Sequence, residues 1–500
     1  MNVSPQLETF LERSKVGNLI PVTCQILAGW DTPLSAYRKL RRGSQSFLFE
    51  SVEGGERQSR YSFVGVNPRG MIRQVGDEVT WVEEGKTIET RAVGVGSDAL
   101  LMVEKAMARY RAAPSDFDAP FTGGAVGFVG YEFIHQVEPT VPRPQKDDLG
   151  VPTLTFLLAE EALVFDHVAQ RITVVVNVFV GPDDDPSKRY EDACGRIQEI
   201  LDCLATPLAA ETHTVPTELP DLPFKSSTSH EGFLRAVETA KGYINAGDII
   251  QVVGSQRFST PTTASAMDIY RAARAVNPSP YMFLLELDDL ALVGASPETH
   301  VRCEGRRVTI RPIAGTRKRG ATEEEDRALE AELLADPKER AEHVMLVDLA
   351  RNDIGRVCDF GSVQVRDLMI IERYSHVMHI VSQVEGDLTS GHSAYDLMRA
   401  TFPAGTLSGA PKVRAMQIIS EIEGLQRGPY GGCVGYFSFS GNLDCCITIR
   451  TALLKDGVAY VQAGGGWVAD SDPEAEFQET VNKSMSMRRA IALAASMTRD

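Results

Sequence analysis

Four glutamates at helical spacing, each pair just behind an Asp-Pro dipeptide, are the first residues in this chain that could do chemistry. In DPKERAEHVMLVDLA, Glu339 and Glu342 stand three apart behind Asp336-Pro337. In DPEAEFQETVNKS, Glu476 and Glu479 stand three apart behind Asp472-Pro473, with Lys483 one turn further on. Residues three apart share a helix face, and Asp followed by Pro gives an N-cap and a first helical residue. Two carboxylate pairs with no cysteine or histidine among them form a hard oxygen set that suits Mg2+. Plainer readings stand beside this one. Glu339 could be the reciprocal partner of Asp336 in a capping box, and Glu479 and Lys483 could form a surface i, i+4 pair worth about 0.3 kcal/mol. Glu342 resists such a reading, because Met345, Leu346 and Leu349 continue its face toward a core where an unpaired carboxylate is costly.

A second group of residues could hold anions. RPIAGTRKRG, residues 311 to 320, gathers four cations around Gly315 and Thr316 in a chain of formal net charge -17. The run is either a solvated basic loop or a holder for something negative. AGGGW, residues 463 to 467, is either a tight turn after a strand or a place where Gly464, Gly465 and Gly466 let a ligand reach backbone N–H groups. It is not a dinucleotide fingerprint, since no helix start follows in the right place. Arg450 sits in the apolar segment CITIRTALL, which reads as one strand; it is either a snorkelling edge residue or a buried bidentate clamp for a carboxylate. His376 and His379, two of nine histidines, are packed groups or a general base.

These residues need a large scaffold, and composition supplies one. The chain has 500 residues, 43% hydrophobic and 24% charged, which is ordinary globular composition with ample material for a core. Its negative charge argues against generic binding to nucleic acid or an anionic membrane. No apolar run approaches the roughly 18 residues of a membrane helix; the best, Ile172 to Val180, reads as a buried strand. The N-terminus lacks the apolar core of a signal peptide. The eight cysteines are scattered without a C-x-x-C pair, as reduced core thiols of a cytoplasmic protein would be.

Periodicity predicts an α+β fold with large antiparallel sheets packed with helices, because strands and helices do not alternate strictly. Strand pairs are expected around the EGGE turn in 47–68 and over 79–93, and a helix over 186–204. Further helices are expected over 231–246, over 323–356 with a break at Asp336-Pro337, and from Asp472-Pro473 onward. A hairpin turns at Glu304-Gly305, and 432–468 reads as an antiparallel meander. The Pro- and Thr-rich stretch 206–229 reads as a linker between an N-terminal part, 1–205, and a C-terminal part, 230–500.

Seven motifs in order, PIAGTRKRG, AEHVMLVDLARNDIGRV, RYSHVMHIVSQVEG, GTLSGAPKVRAM, YGGCVGYF, CITIRTALL and QAGGGWVADSDPEAEFQETVNK, resemble the chorismate-utilising enzyme family. The resemblance implies Mg2+ held by Glu342 and Glu479, with Glu339 and Glu476 in support. It implies that Gly315, Thr316, Tyr430, Arg450 and Gly464 to Gly466 hold the carboxylates of dianionic chorismate, with Lys483 close by. Glu298, in GASPETH, matches the general acid that protonates the departing ring hydroxyl, and His379 matches the residue linked to pyruvate loss.

Two positions narrow the branch. Isochorismate- and salicylate-forming members carry a water-activating lysine where this chain has Gln251, and aminodeoxychorismate-forming members read PIKGT where this chain has Ala314. Ammonia addition followed by pyruvate loss remains, which is anthranilate formation, the first step of tryptophan biosynthesis. The alternatives are an enzyme that stops at the aminodeoxyisochorismate stage and an inactive regulatory paralogue that only binds. No nucleophilic-cysteine elbow of a glutaminase is found up to Asp500, so a separate glutamine amidotransferase subunit in a hetero-oligomer is the expected ammonia source. FLFES matches the LLES element of the family's L-tryptophan feedback site, which implicates Glu50 and Ser51 together with Pro280, Tyr281 and Met282 of NPSPYMF; ordinary strand and loop packing is the other reading. Replacing Glu342 by Gln is expected to abolish Mg2+-dependent turnover, measured as product formed per enzyme with and without added Mg2+; an unchanged rate would remove Glu342 from the metal set.

Overall fold

The computed structural model describes residues 2–52, 60–94, 96–208, 216–374 and 377–497. The EGGE turn and His376 lie outside the described residues. Among the described residues the chain builds two antiparallel sheets, one of 13 strands and one of 12. The α+β class read from the sequence is the class observed. Strong β-formers account for the strands: Arg171–Phe179, with its run of Val, is buried along seven consecutive positions, as a strand covered on both faces must be.

Each sheet is assembled from an N-terminal block and a C-terminal block that meet along a single pair of strands. In the first sheet the seam joins Gln45–Glu50 to Tyr281–Leu287, with Glu50 opposite Met282. In the second it joins Gly124–Val129 to Cys433–Ser438. The two blocks therefore share both sheets. The inner faces pack on one another through Phe47, Phe63, Val126, Phe128, Phe283 and Tyr436. Helices Pro33–Leu40, Pro186–Ala205, Ala266–Val276 and Pro473–Ser496 cover the first sheet's outer face. Helices Leu100–Met107, Pro337–Gly355 and Lys412–Glu423 belong to the core on the far side of the second. The result is four layers, each apolar face covered by a neighbour.

The expected helix starts form as their chemistry dictates. Asp336 accepts hydrogen bonds from the backbone N–H groups of Lys338 and Glu339, and Asp472 accepts from Ala475 N. Helix Glu323–Ala335 ends where Pro337–Gly355 begins, at the predicted break. The 432–468 stretch differs from the expected meander. Cys433–Ser438 and Leu443–Ile447 lie in the second sheet, whereas Thr451–Lys455 and Val458–Trp467 lie in the first. Turn chemistry at SGN and KDG gives two hairpins as expected, but the link between them changes sheet.

AGGGW is not a turn either. Its glycines extend inside strand Val458–Trp467, where Gly464, Gly465 and Gly466 pair with Ser255, Gly254 and Val253 of strand Gln251–Pro261. The indole of Trp467 covers Gly254, where a Cβ would lie 2.0 Å from the ring. Gly254→Ala is expected to destabilise the fold by about 1–3 kcal/mol, the usual cost of overpacking a filled core. The denaturation midpoint checks it, and a midpoint equal to that of the unsubstituted protein would contradict this packing.

Candidate active site

Two neighbouring strands change sheet together, and the residues at their corners form the centre of the site. Leu290–Ser296 belongs to the first sheet and Thr299–Glu304 to the second, so Pro297 and Glu298 make the crossing. Leu443–Ile447 and Thr451–Lys455 do the same in the opposite direction, with Thr448, Ile449 and Arg450 between them. The corners are stitched together: Ile447 N donates to Glu298 O at 3.0 Å, Ser296 Oγ to Ile447 O at 2.7 Å, and Ala295 N to Arg450 O at 3.1 Å. CITIRTALL is thus not one strand. Arg450 has φ of 50°, a left-handed conformation that a non-glycine residue adopts only under constraint. Strand propensity runs unbroken through Ile447-Thr448-Ile449, so nothing local marks the corner; the change of sheet imposes it.

Glu298 is 6% exposed and accepts from Thr406 Oγ1 at 2.7 Å. Burial pushes its carboxyl up to about 7, against the pull of Thr406, Arg450 and Lys483. Near neutral pH it can therefore carry a proton to give away. Arg450 is half-buried. Among the described residues its guanidinium forms no ion pair with a carboxylate; Tyr430, Glu298 and Glu479 are the groups whose charge it feels. A partly desolvated cation without a partner is a costly arrangement, and its fork geometry matches a carboxylate. Of the two readings of Arg450, the edge snorkel does not occur.

Tyr430 is held from below by Arg427, whose guanidinium carbon lies 5.6 Å from the Tyr430 ring centroid and 4.6 Å from that of Tyr131. Arg427, 2% exposed, also donates to Val253 O at 2.7 Å, Leu407 O at 2.9 Å and the Glu423 carboxylate at 2.7 Å. The Glu132 carboxylate fixes the same loop by accepting from Arg427 N at 2.7 Å and Gly428 N at 2.9 Å. None of Arg427, Glu423, Glu132 and Thr406 was singled out from the sequence. Thr406 lies inside the GTLSGAPKVRAM motif and Arg427 just before YGGCVGYF, but nothing in either stretch gives a sign that these side chains turn inward.

The glycine strand brings the remaining groups close. A Cβ on Gly464 would lie 2.7 Å from Tyr430 Oη, one on Gly465 2.8 Å from Glu476 Oε2, and one on Gly466 2.0 Å from Gln251 Nε2. Alternate residues of a strand face opposite sides, so three glycines admit Tyr430 and Gln251 on one face and the glutamates on the other. Lys483 Nζ donates to Gly464 O at 3.1 Å and lies 2.6 Å from Glu479 Oε1, so the i, i+4 pair forms. The Gln251 amide hydrogen-bonds the Glu342 carboxylate, whose proton affinity is raised by burial and then by the charge of Glu339. Glu476 is likewise raised by burial and by Glu479, and Ser471 Oγ donates to its Oε1 at 2.7 Å. Glu476 Oε2 is buried with no hydrogen-bond partner. Among the described residues no three acidic, histidine or cysteine side chains stand close enough to hold a metal by themselves. The carboxylates nevertheless fit Mg2+, which binds through one or two carboxylates and keeps water or substrate oxygens for the rest. A cation would relieve their mutual repulsion.

Gly315 and Thr316 lie on strand Ile313–Lys318, at a bulge against strand Val377–Asp387. Gly315 has φ of 69°, which suits glycine. The bulge turns the Gly315 carbonyl onto His379 Nδ1 at 3.0 Å, with Thr316 Oγ1 at 3.1 Å from the same nitrogen. A carbonyl accepts only, so Nδ1 carries the proton and Nε2 keeps a free lone pair. Burial holds the imidazole below its ordinary pKa and hence neutral at pH 7. The basic run has another task. Arg317 pairs with Glu332, Asp336 and Glu339, and Arg319 with Asp326, so both seat the strand on helices Glu323–Ala335 and Pro337–Gly355. Glu339 is therefore engaged by Arg317 at 3.3 Å rather than closing a capping box.

Away from this cleft, at the seam of the first sheet, a cavity of about 470 Å3 is lined by Phe49, Glu50, Ser51, Pro280, Tyr281 and Met282, among others. The structure thus brings together all five residues expected there. Glu50 accepts from Tyr270 Oη at 2.5 Å and lies 3.6 Å from Arg274 Nη2. The Ser51 hydroxyl has a buried oxygen with no partner among the described residues.

Comparison with known proteins follows the same geometry. Residues 44–489 match the family model for chorismate binding enzymes. Over 491 residues the chain is 47% identical to anthranilate synthase component 1 of Pseudomonas putida, covering 97% of this chain and 98% of that protein. It is 46% identical over 491 residues to the protein of that name from Acetivibrio thermocellus, with the same shares covered. Among solved structures, anthranilate synthase component I from Streptococcus pneumoniae superposes with a TM-score of 0.76 at 37% identity, over 92% of this chain and 98% of that one. The isochorismate synthase MenF from Escherichia coli shares the fold, with a TM-score of 0.70 at 17% identity over 97% and 98% of the two chains. The chain belongs to the chorismate binding enzyme family, among relatives that are component 1 of anthranilate synthase.

Proposed function

We propose that this protein converts chorismate and ammonia to anthranilate, pyruvate and water. The observation that carries the reading is the corner itself: a half-buried arginine with no carboxylate partner among the described residues, next to a carboxyl that burial pushes up to about 7. An acid is needed to expel the ring hydroxyl, and a cation to hold a ring carboxylate. Relatives at 46–47% identity across nearly the whole chain carry the corresponding name.

In this reading Arg450, Tyr430 and the N–H groups of the glycine strand hold one carboxylate of chorismate. Glu298 gives its proton to the C4 hydroxyl as the C–O bond breaks and water leaves. Ammonia forms the new bond at C2, and the ammonium so produced loses a proton. His379 Nε2 then takes the ring C2 proton as the enolpyruvyl C–O bond breaks, which yields the aromatic ring and the enolate of pyruvate; that enolate takes up a proton at its methylene carbon to become pyruvate. Thr316 and the Gly315 carbonyl keep His379 in the required tautomer. Glu342 and Glu479, with Glu339 and Glu476 behind them, would hold Mg2+. When bound, Mg2+ would supply positive charge to neutralise a substrate carboxylate. Gln251 and Ala314 leave ammonia as the nucleophile, since neither position carries a lysine to activate water or to attack the ring.

Ammonia is supplied by a separate glutamine amidotransferase, in keeping with relatives named component 1. The N-terminal part, 1–205, serves regulation and the C-terminal part, 230–500, catalysis, with Pro280, Tyr281 and Met282 of the latter completing the regulatory cavity. The 470 Å3 cavity takes L-tryptophan, its volume within the usual range for small-ligand sites and its walls offering Phe49, Tyr61 and Met282 to an indole. We place the protein in the cytoplasm; no helix among the described residues is long and apolar enough to cross a membrane.

With chorismate and Mg2+, ammonium should give the fluorescence of anthranilate, glutamine alone should give none, and L-tryptophan should depress the ammonium-driven rate. A non-aromatic amino product would sink the assignment to anthranilate.

A further inference from the structure

Behind Glu298, away from the glycine strand, lies a small cavity of about 30 Å3 bordered by Glu298, His300, Asp353, Thr401 and Thr406. It can hold a water, which needs on the order of 10–15 Å3 and two to four polar partners. His300 is 3% exposed and follows Glu298 by two residues on strand Thr299–Glu304. Its Nε2 donates to Thr401 O at 3.3 Å, since a carbonyl can only accept. Nδ1 is therefore a lone pair, and it is buried with no hydrogen-bond partner. Asp353, 8% exposed, accepts from Lys412 Nζ through both carboxylate oxygens at 2.6 and 2.7 Å, a pairing that opposes the rise in proton affinity caused by its burial, and Lys412 also donates to Pro403 O at 2.9 Å.

We propose that His300 is a positioning residue for the general acid, acting through a water in this cavity that hydrogen-bonds His300 Nδ1, Asp353 and Glu298. The argument is one of donors and acceptors. His300 Nδ1 and the Asp353 carboxylate both accept, so both hydrogens of the water are committed to them. Only its lone pairs remain for Glu298, and a lone pair can be bonded only by a carboxyl that bears its proton. The cavity thus favours the acid form of Glu298 between turnovers. The charged and titratable groups facing Glu298 are Arg450, Lys483 and His300, with the Thr406 hydroxyl on Oε1. Those facing His300 are Glu298, Asp353 and Cys433. Arg450 and Lys483 pull toward the carboxylate, and the water opposes them from behind.

This rests on Glu298 being the general acid, so two experiments separate the claims. Glu298→Gln tests that reading: it should lose at least about a hundredfold in kcat, and near-normal turnover would overturn both claims. His300→Phe keeps the ring that meets Phe402 edge-on but removes the acceptor. Glu298 titrates at about 7 in the folded protein, so its acid form, and kcat/KM with it, falls as pH rises through that value. In His300→Phe that alkaline limb should move about one unit lower, the effect of one lost hydrogen bond, with the chorismate KM at pH 6 unchanged. His300→Asn, whose amide oxygen can accept in the same place, should restore the limb. An unmoved limb in His300→Phe, alongside an inactive Glu298→Gln, would overturn the His300 proposal alone. Should His300→Phe fail to fold, a crystal structure of the unsubstituted protein decides: a water within 3.2 Å (the ordinary hydrogen-bond limit) of His300 Nδ1 supports the proposal, and a dry cavity overturns it.

Discussion

The site depends on one constraint: two adjacent strands must leave one sheet and enter the other at the same place. A strand that changes sheet breaks its ladder, and the residues at the break lose the alternation that would send them to the core or to solvent. Here the breaks fall at Pro297-Glu298 and Thr448–Arg450, and backbone hydrogen bonds through Ile447, Ala295 and Arg450 hold them side by side. A carboxyl and a guanidinium are thereby fixed in the same buried corner without neutralising each other. The strain of a left-handed arginine is tolerated because both flanking strands are locked in different sheets.

Electrostatics then sorts the surrounding groups. Cations reach the cleft from three directions: Arg450 from the corner, Lys483 from helix Pro473–Ser496, and Arg427 beneath Tyr430. Arg427 is satisfied by Glu423 and backbone carbonyls and so serves as structure. Arg450 forms no ion pair among the described residues, which in the proposed reading leaves it to receive a substrate carboxylate. Across the glycine strand the glutamates of two helices crowd together, and their burial and mutual repulsion raise Glu342 and Glu476. In the proposed reading, a dianionic substrate and a divalent cation would answer both imbalances at once. The side chains the glycines lack are what let the two faces approach.

Much of this could be read from the chain because it is local. Asp336-Pro337 and Asp472-Pro473 start helices through chemistry confined to a few residues, and the i, i+3 glutamates follow from helical geometry. The strand over 171–179 follows from a β-branched run, and those over 433–447 from the SGN turn between two apolar stretches. What could not be read is tertiary. Nothing in Ile447-Thr448-Ile449-Arg450 distinguishes a corner from a continuous strand, and nothing in AGGGW distinguishes a turn from a strand stripped of side chains. The basic run after Gly315 looked like an anion holder, yet Arg317 and Arg319 are consumed by Glu332, Asp336, Glu339 and Asp326. Thr406 reaches Glu298 from more than a hundred residues away, and Arg427 reaches Val253 and Leu407 as well as nearby Glu423, so spacing alone did not nominate them.

The central claim is that Arg450, half-buried and without an ion pair among the described residues, is kept for the substrate's carboxylate. Its most direct test compares the activity and stability of Arg450→Met. Loss of a buried charge partner costs about 2–5 kcal/mol, so kcat/KM for chorismate should fall at least about thirtyfold. The thermal midpoint should hold or rise, because a partly desolvated cation without a protein partner adds nothing to stability. An unchanged kcat/KM, or a loss of activity matched by a collapse of the fold, would contradict the account.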